Sequence, residues 1–103
     1  MAFEITLTLE AGKYGGVCLP SNEDSTGYYW TLPMIPNCIN RTNDEWVPAV
    51  PGPNYPGMPG VHVFIFKGIT PTVQSPEMTF FLMPPGGNTP ADKALCKVTV
   101  VKA

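Results

Sequence analysis

The stretch Phe3-Glu4-Ile5-Thr6-Leu7-Thr8-Leu9-Glu10 alternates apolar and polar residues without a break. Successive side chains of an extended chain point to opposite faces, so this spacing predicts a half-buried strand with one wet face. Outward from it, Gly12 and the pair Gly15-Gly16 predict a turn. A short strand follows at Val17-Cys18-Leu19, stopped by Pro20. Tyr28-Tyr29-Trp30-Thr31-Leu32 is aromatic and β-prone and runs into Pro33. Val61-His62-Val63-Phe64-Ile65-Phe66 is apolar on both parities, the mark of a central strand covered at least in part on both faces. Met78 to Met83 and Ala94 to Val101 predict two more strands. No proline-free window carries apolar residues at i, i+3, i+4 and i+7, so no long helix is expected.

Length and composition agree. With 103 residues the chain predicts one domain, spanning 1–103. Charged residues make up 14%, well under the usual share of about 25%. Proline and glycine account for 23 of 103 residues, against an average of about 12%. Short strands punctuated by turns predict an all-β, immunoglobulin-like β-sandwich of about seven or eight strands. Residues 33–60 break the pattern, holding seven of the thirteen prolines. They read as an ordered loop of polyproline character with a short strand near Glu45-Trp46-Val47 and an exposed tip at Tyr55 to Gly60.

Several function classes fall. The net charge is −2, with no basic cluster, so nothing marks a nucleic-acid binder. Trp46 to Phe66 carries no formal charge, but its five prolines bar a membrane-spanning helix. Met1 to Thr6 has neither the basic nor the apolar region of a signal peptide. Cys18, Cys38 and Cys96 are an odd number, read as three reduced thiols in a cytoplasmic protein. In a trimmed secreted, lysosomal or vesicular form, one disulfide is open and Asn40-Arg41-Thr42 becomes a glycosylation acceptor. One histidine and no Cys-x-x-Cys argue against a metal, and no cofactor is expected. His62 reads as a structural residue with no acid or thiol neighbour in sequence. A Cys–His pair meeting in space stays open, yet no orienting group or oxyanion site accompanies it, so the chain does not read as an enzyme. Glu23-Asp24 and Asp44-Glu45 read as solvated loop charge, with weak calcium binding as the alternative.

Three glycine- and proline-rich loops carry the remaining information: Asn22 to Gly27, Tyr55 to Gly60, and Met83 to Asn88. They are either plain turns or, if they share one end of a sandwich, a composite binding surface.

Leu19-Pro20-Ser21-Asn22 followed by Ser25-Thr26-Gly27-Tyr28-Tyr29-Trp30 resembles the chagasin family of cysteine peptidase inhibitors, whose first loop reads Asn-Pro-Thr-Thr-Gly, an aromatic, any residue and Trp. Gly57-Met58-Pro59-Gly60 stands where that family has Gly-x-Gly-Gly. Met83-Pro84-Pro85 stands where it has Arg-Pro-aromatic. Glu23-Asp24 replaces a proline in the first loop, and the third lacks both arginine and aromatic. Order and approximate spacing agree from about Val17 to the end of the chain.

The resemblance implies a reversible inhibitor, monomeric, that plugs the cleft of papain-like cysteine peptidases. Carried over residue by residue, Ser25, Thr26 and Gly27 form the central wedge, flanked by Asn22, Asp24 and Tyr28. Gly57, Met58, Pro59 and Gly60 lie on the non-primed side, and Met83, Pro84 and Pro85 on the primed side. Losing a buried aromatic anchor costs about 2 kcal/mol, roughly thirty-fold in dissociation constant, so selective inhibition is expected. The alternative is an immunoglobulin-like adhesion or ligand-binding module using the same loops.

Overall fold

The computed structural model describes residues 2–21, 27–48 and 60–103. Seven strands form two sheets: β1 (Ala2–Glu10), β2 (Tyr14–Ser21), β3 (Tyr29–Thr31), β4 (Ile39–Pro48), β5 (Gly60–Gly68), β6 (Glu77–Met83) and β7 (Asp92–Val101). One sheet runs in the order β1-β7-β6-β3, the other β2-β5-β4. All pairings are antiparallel except β1 with β7. Among the described residues there is no helix, and so none long and apolar enough to cross a membrane.

The alternation in β1 does what its period requires. Leu7 and Leu9 are buried, while Glu4, Thr6's neighbour Thr8 and Glu10 are not. On β7, Ala94, Cys96, Val98 and Val100 enter the same core, which closes on Phe64 and Phe66 of β5. The sheets meet where Phe64 and Phe80 cross, ring centroids 4.9 Å apart. Fully burying such a side chain is worth about 2–3 kcal/mol, so this contact anchors the sandwich.

Four local expectations are corrected. Gly12 makes the turn, but Gly15 and Gly16 lie inside β2. Pro20 does not stop that strand; it pairs with Val61, because β2 is an edge strand and its outward side needs no N–H. The strand in the proline-rich region is ten residues long, not a short piece near Trp46. Asp44-Glu45 therefore sits in β4, not in a loop. Of the exposed tip expected at Tyr55 to Gly60, residues 55–59 lie outside the described residues, and Gly60 is buried at the start of β5.

The length of β4 was hidden by a bulge. Its register against β5 shifts between Arg41 and Asn43. Before the shift Ile39 faces inward; after it, Asp44 and Trp46 lie opposite Phe64 and His62 on the inner face. An extra residue reverses parity, so no single period runs through the segment.

Candidate functional site

The loops suspected from sequence leave strand ends that the fold gathers at one pole. In the three-stranded sheet Ser21, Gly60 and Pro48 form one row, Gly60 pairing with both neighbours. These are the last residue of β2, the first of β5 and the last of β4. In the facing sheet, Tyr29 at the start of β3 pairs with Met83 at the end of β6. The opposite pole holds the β1–β2 turn, where Gly12 N–H donates to Gly68 O at 2.8 Å, and the start of β4, where Ile69 N–H donates to Cys38 O at 2.8 Å.

Two indoles lock the point at which β2 ends. Trp30 Nε1 donates to Pro20 O at 2.8 Å, reaching across from the other sheet. Trp46 Nε1 donates to Ser21 O at 3.1 Å, from within the same sheet. Trp30 is 4% exposed and so is fixed by the core itself. The third loop opens with a turn in which Gly87 N–H donates to Pro84 O at 3.2 Å. Pro85 stands at its second position, where a fixed φ is pre-set for the turn. A Cβ on Gly27 would lie 3.1 Å from Pro85 Cβ, so the end of the first loop packs on the third. Tyr28 and Tyr29 are exposed beside this contact.

Of the predicted site residues, the structure brings together Gly27, Tyr28, Gly60, Met83, Pro84 and Pro85 at this pole. Gly60 is buried rather than presented to solvent, while Pro85 is exposed. Asn22, Asp24, Ser25, Thr26, Gly57, Met58 and Pro59 lie outside the described residues. Sequence reading passed over Tyr29 and Trp46; the second was a lone tryptophan after a polar run, with no period to place it.

His62 acquires a partner that its sequence neighbours did not suggest. Its Nε2 lies 3.0 Å from Asp44 Oδ1, and its ring stacks on Phe64 at 4.5 Å. Arg41 bonds the other carboxylate oxygen of Asp44 and lies over Phe64, 5.2 Å from the ring centroid. The Arg41 hydrogen bond, supported by His62, holds the Asp44 carboxyl below its ordinary range. Inward-pointing charge on an edge strand also discourages pairing with another sheet.

No dyad with Cys18 exists. That thiol is exposed and paired opposite Val63, on the outer face, while His62 is on the inner one. Burial pushes the Cys96 thiol up to about 11 and raises Cys38 as well. None of the three cysteines is in a disulfide. Among the described residues no three His, Cys, Asp or Glu side chains converge to hold a metal ion.

Residues 8–100 match the family described as Chagasin family peptidase inhibitor I42. The chain belongs to the chagasin family. It is therefore a protein inhibitor of cysteine peptidases and not an enzyme. Its fold is similar to the crystal structure of the cysteine protease inhibitor EhICP2 from Entamoeba histolytica, with a TM-score of 0.65 and 16% identity over 96% of this chain and 95% of that one. It is also similar to the solution structure of amebosin, with a TM-score of 0.64 and 17% identity over 99% of this chain and 96% of that one. No curated protein matches by sequence.

Proposed function

We propose that this chagasin-family protein blocks papain-like cysteine peptidases by inserting the pole at Ser21, Gly60 and Met83 into the active-site cleft. The observation that carries the reading is the convergence of strand ends. Segments 22–28, 49–59 and 84–91 all leave from the one end of the sandwich defined by the Ser21–Gly60–Pro48 row and the Tyr29–Met83 pair.

The wedge is Ser25, Thr26 and Gly27, with Asn22, Asp24 and Tyr28 beside it. Gly57, Met58 and Pro59 serve the non-primed side, carried on the buried Gly60, and Met83, Pro84 and Pro85 the primed side. Loop ends braced by two indoles and a neighbouring proline lose little entropy when the pole docks. It fills the cleft with backbone that need not present a carbonyl to the catalytic thiolate, so it occludes without being cleaved. A contact of this kind buries about 1,600 Å² in total. The inhibitor acts as a monomer and needs no cofactor. Three unpaired thiols favour a reducing compartment such as the cytoplasm for the encounter.

Titration of a panel of papain-like peptidases with the pure protein tests the reading. Inhibition of at least one member at submicromolar concentration is expected, and Thr26→Arg should abolish it with the melting temperature unchanged. Absence of inhibition across the panel at micromolar protein, or full potency of Thr26→Arg, overturns it.

A further inference from the structure

We propose that Trp46 is a positioning residue of the inhibitory pole, tying the end of β2 to the start of β5 so that the strand ends bearing the first two loops are held as one unit. The inference rests on the cleft-blocking reading and adds to it the device that fixes where the two loops leave the sheet.

The chemistry lies in three strands. Trp46 is on β4, the edge strand, and the Arg41/Asn43 bulge turns it to the inner face opposite His62. Its acceptor, Ser21 O, is on β2, the other edge. Two interstrand spacings, about 9–10 Å, separate these strands, and β5 runs between them. The residue of β5 in the Ser21–Gly60–Pro48 row is glycine. A Cβ there would lie 2.6 Å from Trp46 Nε1 and nearer still to the ring carbons. The indole thus crosses the gap left by the missing side chain and donates to the strand beyond. Gly60 serves here as the groove in which the ring lies, which explains why it is buried instead of facing a peptidase.

The consequence is mechanical. Ser21 immediately precedes the first loop, and Gly60 immediately follows the second. One side chain touches both. Pro20 O, one residue earlier, is held by Trp30 from the opposite sheet. Successive carbonyls are fixed by two indoles with different supports, so β2 cannot shift relative to either sheet without breaking a hydrogen bond.

Trp46→Phe keeps a ring over Gly60 and removes only the N–H donor. Gly60→Ala keeps the donor and pushes the ring out of its groove. Both are compared with wild type by thermal melting, by hydrogen exchange of the free protein, and by inhibition constant against a peptidase that wild type inhibits. Trp46→Phe should melt within a few degrees of wild type yet inhibit about three- to tenfold more weakly, the equivalent of one hydrogen bond. Gly60→Ala should weaken inhibition by more. Hydrogen exchange should accelerate in peptides covering 19–28 and 47–61 and stay unchanged in 77–101. A variant that melts lower but inhibits as wild type has lost only stability, and the proposal fails while the cleft-blocking reading stands. If wild type inhibits no peptidase, that reading fails instead. Exchange then decides the tie: acceleration on both sides upholds it, and acceleration in one peptide or neither overturns it.

Discussion

Gly27 and Pro85 meet at the pole where the loop-bearing strand ends gather, so closely that a methyl group on the glycine would sit 3.1 Å from Pro85 Cβ. The first loop ends, and the third turns, against this contact. Gly27 also has φ of +74°, a conformation that L side chains pay about 1–2 kcal/mol to adopt. The two costs fall on the same atom, which makes the position a test of how the loops are braced.

Gly27→Ala should therefore lower stability by about 1–2 kcal/mol and weaken peptidase inhibition. Gly12→Ala is the control. It carries a similar φ of +85° but meets nothing within 4 Å, and it lies at the far pole. It should cost comparable stability in urea unfolding and leave inhibition intact. Equal loss of inhibition in both variants would mean that stability alone sets potency.

The Phe64–Phe80 contact should dominate the core. Either ring replaced by alanine should cost about 3–5 kcal/mol. Because the rings touch at 4.9 Å, the double variant should cost less than the sum by about 0.5–1.5 kcal/mol. A double-mutant cycle by denaturant unfolding measures that coupling; strict additivity would show that the sheets are held elsewhere.

Asp44 supplies a pH dependence whose sign follows from its lowered pKa. A carboxyl held below its unfolded value near 3.9 stabilises the fold above that pH and loses the contribution as pH falls through the folded value. Its partner Arg41 is exposed, so solvent screening limits the gain to about 0.5–1 kcal/mol. Asp44→Asn should be less stable than wild type by that amount at pH 7, and the gap should narrow as pH falls below the unfolded value near 3.9. Urea unfolding at pH 7, 5 and 3 checks it, and a gap that widens in acid would reverse the assignment.

The thiols should react in order of burial. Cys18 is exposed, Cys38 intermediate and Cys96 buried. A colorimetric thiol reagent on the native protein should show one fast reaction, one slow, and the third only after denaturant. Cys96, pushed by burial from an ordinary 9.0 to about 11, keeps its proton in the fold while the unfolded chain ionises. Stability should fall between those pH values, and a Cys96 that labels as fast as Cys18 would contradict its placement.

Much of this was written locally. Strict alternation in Phe3 to Glu10 and the apolar run Val61 to Phe66 identify β1 and β5 because burial on one or both faces leaves a period in the chain itself. Ser25-Thr26-Gly27-Tyr28-Tyr29-Trp30 carried the family resemblance in the same way. What only the tertiary structure decided depends on pairing between distant segments. The bulge in β4 exists only relative to β5, and it is the bulge that aims Asp44 at His62 and Trp46 across Gly60. Pro20 is tolerated inside β2 because that strand lies at an edge, a property of sheet order and not of neighbouring residues. The gathering of three loop-bearing strand ends at one pole is likewise set by register and sheet order, which no local period encodes.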